Sequence, residues 1–202
     1  MIWIWIAFLL LYPIPVPEAW AAEMDSSILD RRLILNLYGS RQERLDLLKY
    51  LTSPKVQERM KKASLDLRQV FRAMQVREFN REMIAELKER GWVGETAQAI
   101  LAIPPATLES LTADDLRLVQ EVSKEENESR ETLIQLLGAL QEKEGATPAP
   151  SQIETPGPAR EEVTPGSKGI EAVRKRFGEL LRQQARPGEW IQGEDGLWVK
   201  KG

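Results

Sequence analysis

Neither cysteine nor histidine occurs anywhere in this 202-residue chain. Without cysteine there is no disulfide, no thiolate nucleophile and no thiol to carry a lipid, so stability rests on packing alone. Without histidine the commonest metal ligand and the commonest general base near neutral pH are missing. Together the two absences remove Cys/His zinc sites and Cys–His or Ser–His catalysis. An excess of one charge is lacking too. The 28 basic and 31 acidic residues nearly cancel, unlike the basic field of a general nucleic-acid binder. The expectation is a protein with no metal, no cofactor and no nucleic-acid partner, and not an enzyme.

What is present begins with an apolar run. Residues 2–12 are unbroken apolar or aromatic. That matches a signal-peptide core of about 7–15 residues and falls short of the roughly 20 that a membrane-spanning helix needs. Pro13, Pro15 and Pro17 follow and cannot continue a helix. Ala19-Trp20-Ala21 then places small residues where a signal peptidase reads, so residues 1–21 are expected to be removed by a cut between Ala21 and Ala22. No Lys or Arg precedes the run, which leaves a retained N-terminal tether as the alternative. The segment's only charged side chain is Glu18, so the remainder carries 28 basic and 30 acidic residues, net −2. It holds about 180 residues, enough for one modest domain or two small ones.

The pattern over 22–90 is helical. Leu33, Ile34 and Leu37 form one apolar group, and Leu45, Leu47, Leu48 and Leu51 another beyond Gly39-Ser40. Ser53-Pro54 reads as a cap followed by Pro at the first helical position. Val56, Met60, Ala63, Leu67, Val70 and Met74 recur at heptad-like spacing, and no Gly or Pro interrupts 55–90, so a single long amphipathic helix is expected there. Residues 91–105 read as a turn and a short apolar element. Thr112 caps a helix over 113–144. Its apolar stripe is interrupted by the polar stretch 123–131, where Glu126 and Arg130 form an i,i+4 pair expected to be solvated. The Pro-rich segment 145–168 has almost nothing to bury and reads as a linker. A shorter amphipathic helix starts at Gly169 and ends near Ala185. The chain closes with two strand-like stretches, Glu189-Trp190-Ile191-Gln192 and Leu197-Trp198-Val199-Lys200, around Gly193-Glu194-Asp195-Gly196. A two-residue turn at Asp195-Gly196 and a four-residue turn over 193–196 both put Trp190 and Trp198 on opposite faces. A lone hairpin is marginal, so one face must be docked. The fold expected is mainly α, with a long amphipathic helix and a small C-terminal β-hairpin.

Three stretches carry a resemblance. Arg186-Pro187-Gly188-Glu189-Trp190-Ile191-Gln192 with Asp195-Gly196-Leu197-Trp198-Val199-Lys200, Gly91-Trp92-Val93-Gly94-Glu95, and Glu126-Asn127 followed by Arg130 are similar, in the same order, to motifs of the YdbL-like family of small bacterial periplasmic proteins, a domain of unknown function. The resemblance spans roughly 83–202. The Pro-rich segment and the long helical region 26–80 depart from the family's compact form. What the resemblance implies is a soluble periplasmic accessory or chaperone-like protein, found beside a large AsmA-like envelope protein and a small lipoprotein in a system implicated in moving phospholipid between two membranes. Peripheral membrane association would fit such a setting. Partner-binding candidates are Trp190, Trp198, Gly94, Glu95, Asn127, Arg130, Pro187 and Gly188. Two other readings stay open: a glycan enzyme using Glu189, Glu194 and Asp195 beside the tryptophans, and a small lipid carrier with an apolar groove between helices.

Overall fold

A computed structural model describes residues 26–35, 41–141 and 167–202. The proposed signal segment, and nearly all of the Pro-rich segment, lie outside these residues. The elements are α1 (Ser26–Leu35), α2 (Arg41–Leu51), α3 (Pro54–Lys62), α4 (Leu67–Glu89), β1 (Gly94–Glu95), β2 (Leu101–Ala102), α5 (Pro105–Leu108), α6 (Ala113–Gln141), α7 (Ser167–Gln184), β3 (Trp190–Gln192) and β4 (Trp198–Lys200). The protein is mainly helical and ends in a hairpin, as its sequence predicts. No described helix is long and apolar enough to cross a membrane.

The uninterrupted helix expected over 55–90 is two helices. The first ends at Lys62 in a left-handed turn with Ser64 at φ 57°. The Leu65 N–H bonds the Met60 carbonyl at 2.8 Å and the Ser64 N–H bonds the Lys61 carbonyl at 3.1 Å, a Schellman-type ending. The apolar contact that accompanies this motif comes from Leu65 and Met60, both buried. The next helix starts at once. Asp66 accepts from the Gln69 N–H, and the Gln69 side chain accepts from the Asp66 N–H, both at 2.8 Å. This capping box satisfies two otherwise orphaned donors. Asp-x-x-Gln was the signal in the sequence for the restart. The stop was hidden because a serine, not a glycine, takes the left-handed position.

α4 and α6 run antiparallel along each other. At one end Val70 and Ala73 join Leu133, Ile134, Leu136 and Leu137 in the larger apolar cluster, with Leu33 and Ile34 of α1 and Val173, Phe177 and Leu181 of α7. At the other end Ile84 and Leu87 meet Val119 and Val122, with Val93 and Leu101. Segments that read separately in the sequence, on either side of residue 90, thus share their cores.

The 91–105 stretch contributes more than a turn. β1 and β2 pair antiparallel, and β1 also pairs in parallel with β3, giving a four-stranded sheet in the order β2-β1-β3-β4. The C-terminal hairpin is therefore docked by its backbone onto a strand about 100 residues earlier. Its register differs from both expected turns. Trp190 faces Lys200, Ile191 faces Val199 and Gln192 faces Trp198. The loop is odd in length: the Gly193 N–H bonds the Leu197 carbonyl at 2.9 Å and Gly196 takes a φ of 79°, the three-residue turn with a left-handed bulge residue. One extra residue flips the facing, so Trp190 and Trp198 lie on the same face of the sheet, not on opposite faces.

Candidate functional site

The side chains with the densest chemistry sit between the two apolar clusters. On α4 the buried positions run Val70, Ala73, Arg77, Asn80, Ile84, Leu87; on α6 they include Val122, Ser123, Glu126, Ser129, Arg130 and Leu133. The helical seam thus continues through polar residues. The middle of each helix supplies a charged layer where the ends supply aliphatic ones.

Arg130 is the hub. Its Nε donates to Glu126 at 2.7 Å, and its two terminal nitrogens donate to the two oxygens of Glu95 at 2.7 and 3.0 Å. One of them also bonds the Ala99 carbonyl at 3.1 Å. Arg77 closes the other side. It donates to Glu126 at 3.0 Å and to the Leu33 and Ile34 carbonyls, each at 2.9 Å. Those carbonyls belong to the last turn of α1, where a cation complements the helix dipole. Lys88 adds a further ion pair to Glu95. The Glu126–Arg130 pair expected to be solvated is instead buried, each side chain 3 % exposed. The polar run 123–131 looked like surface because hydropathy says nothing of partners. Its register with Val119, Val122 and Leu133 was the available clue.

The electrostatics follow from burial and pairing. Burial alone would push the Glu95 carboxyl up; the charges of Arg130 and Lys88 and their hydrogen bonds outweigh it and hold the group down to about 2. Glu126 is held down in the same way, burial opposing and Arg130 and Arg77 prevailing. Burial acts to lower the Arg130 pKa, and the two carboxylates raise it further than burial depresses it. Both carboxyls therefore titrate lower folded than unfolded. The contribution of Glu95 is complete above the ordinary carboxyl value of 4.5 and is lost as pH falls toward about 2; that of Glu126 is lost in the same direction. Urea unfolding should show a midpoint that is flat above about pH 5 and falls steeply below it, with on the order of 3 kcal/mol from Glu95.

Asn127, next to Glu126, has a different task. Its Oδ1 accepts from the Leu101 N–H at 2.8 Å and its Nδ2 donates to the Leu101 carbonyl at 3.0 Å. The amide thus pairs with the outer edge of β2 as a strand would, and closes that edge. Asn127→Ala should cost about 1–3 kcal/mol by leaving both backbone groups unpaired. Hydrogen exchange at the Leu101 amide, faster in the variant, would check it.

Comparison with protein-family models, with characterised proteins and with solved structures finds no match.

The candidate residues gather around the sheet, but on its two faces and not in one site. Glu95 and Arg130 are paired, Asn127 holds β2, and Gly94 lies under both tryptophans. A Cβ on Gly94 would stand 2.6 Å from the Trp190 Cβ and from the Trp198 Cζ3, and 2.5 Å from the Trp190 carbonyl. Lys200 lies over the Trp190 ring at 5.4 Å, a cation–π distance. Gly94, Trp190, Trp198 and Lys200 share the outward face of the sheet. Glu95, Leu101 and Ile191 share the inward one, turned to the helices. Pro187 and Gly188 are exposed and build the turn into β3, with Gly188 at φ 86° and the Glu189 N–H bonding the Arg186 carbonyl at 3.1 Å. The three hairpin carboxylates sit in different surroundings. Glu194 makes an exposed ion pair with Lys175 at 3.1 Å. Asp195 accepts from the Leu197 N–H within the loop, and Glu189 is buried. Sequence reading missed Arg77 and Lys88, whose partners are 49 and 7 residues away.

Proposed function

We propose that this chain is a non-catalytic accessory protein of the bacterial periplasm that acts by binding an envelope protein through the outward face of its sheet. The observation that carries the reading is the placement of Trp190 and Trp198 on one outward face, half-buried over Gly94 with Gln192 and Lys200 beside them. A rigid aromatic pair with a polar rim is the composition of an interface hot spot. The charged belt favours a structural role over a catalytic one. Its arginines are committed to Glu95, Glu126 and backbone carbonyls, and its carboxylates titrate far from neutral pH, where a general base must work. The resemblance to the YdbL-like family supplies the setting: an exported protein working beside an AsmA-like protein or a small lipoprotein.

Co-purification from detergent-solubilised envelopes tests this. Wild-type protein should recover an envelope protein, and Trp198→Ala should reduce the recovery roughly tenfold or more, as loss of a hot-spot residue implies. Circular dichroism would verify that the variant remains folded. Recovery of no envelope protein across several detergents, or equal recovery by the wild type and by Trp190→Ala and Trp198→Ala, would overturn the reading.

A further inference from the structure

Beneath the sheet, on the face opposite the tryptophans, a cleft of about 210 Å³ opens between α4, the end of α7 and the entry to β3. Five cationic side chains and three carboxylates line it, net +2. Two of the cations, Arg77 and Arg130, direct their donors into the charged belt. The other three face the cleft with donors to spare. Lys88 is 15 % exposed and has N–H groups beyond the one given to Glu95. Arg81 makes a surface pair with Glu78 at 3.3 Å, and Arg186 makes no ion pair among the described residues. Net positive charge with uncommitted donors favours an anionic group.

The acceptors in the same cleft ask for something else. Glu189 is only 8 % exposed, and its carboxylate makes no hydrogen bond among the described residues. Lying one residue before Trp190, it shares the inward face of the sheet with Ile191 and Glu95. Deeper in, the Oε2 of Glu126 is buried with no hydrogen-bond partner. A buried acceptor left unpaired, as this Glu126 oxygen is, is costly and rare in native proteins, whereas the Glu189 carboxylate is open to the cleft and free to accept from what enters it. A bare anion would meet Glu189 as a like charge and leave it unpaired. A bare amine would enter a net positive cleft.

We propose that this cleft binds a compact zwitterion, with its carboxylate or phosphate held by Lys88, Arg81 and Arg186 and its ammonium donated to Glu189 above Glu126. The site is independent of the partner-binding reading, since the tryptophans lie on the other side of the sheet.

Calorimetric titration of the full chain tests it with four probes: O-phosphoethanolamine, L-serine, inorganic phosphate and ethanolamine. Saturable binding of phosphoethanolamine or serine is expected, and which one binds tells a phosphate from a carboxylate. Arg186→Ala and Glu189→Gln should each weaken it about tenfold. Arg186 is exposed and Gln keeps the shape of Glu, so both variants should fold, which thermal melts would verify. The proposal is overturned if neither zwitterion binds at about 10 mM. It is equally overturned if phosphate or ethanolamine alone binds as tightly as the zwitterions, or if both substitutions leave the affinity unchanged.

Discussion

Arg130→Met is expected to be the most destabilising single change in the belt, costing about 3–5 kcal/mol. The methionine fills much of the same volume, so the effect is electrostatic and not a cavity. Arg130 neutralises two carboxylates, and its removal strands both. Glu95 keeps Lys88, and Glu126 keeps Arg77, but each buried carboxylate loses the charge that contributes most to holding it ionised. Burial then dominates, and both carboxyl pKa values rise. In urea unfolding the midpoint should drop at neutral pH and recover partly on acidification, the reverse of the wild-type trend. Adding Glu95→Gln to Arg130→Met should restore part of the loss, because a neutral amide costs less to bury than an unpaired charge. A charge pair on the surface gives the contrast. Breaking Glu58–Lys62, each 70 % exposed, should change stability by less than about 0.5 kcal/mol. If Arg130→Met behaves like that surface change, the belt does not hold the fold together.

Gly94→Ala is expected to undock the hairpin. The added methyl would stand well inside contact distance of the Trp190 carbonyl, the Trp190 Cβ and the Trp198 ring. The ring could turn away; the Trp190 backbone could do so only by leaving β1. Overpacking of this kind costs about 1–3 kcal/mol where side chains can adjust, and the backbone contact places this site at or above the top of that range. Its signature is spectroscopic as well as thermodynamic. Trp190 and Trp198 would become more exposed, and tryptophan emission should shift to the red while the helical circular dichroism is largely kept. An unshifted emission with unchanged stability would show that the sheet does not pack as described.

The candidate site was legible in pieces. Gly94-Glu95, Glu126-Asn127 and Arg130 stood out as motifs, yet motif spacing could not say that Arg130 reaches Glu95 across 35 residues. Nor could it say that Asn127 seals a strand at Leu101. Arg77 carried no motif at all. It could have been noticed only as a seam position, four residues from Ala73 and three from Asn80. The charged run 123–131 misled because a polar residue on a helix is read as solvated unless its partner is known, and these partners come from other elements.

What the sequence determined by itself is what local physics controls. Helical periodicity, the Thr112 cap, the hairpin composition and the absence of cysteine and histidine set a mainly α chain without thiol or imidazole chemistry. Tertiary structure decided whatever depends on pairing at a distance. It joined the hairpin to β1, and the left-handed Gly196 chose the odd loop that puts both tryptophans on one face. It also turned a polar stretch into a buried belt, because charges that are costly to bury alone become stable once the Glu126–Arg130 pair of α6 meets Arg77 of α4 and Glu95 of β1.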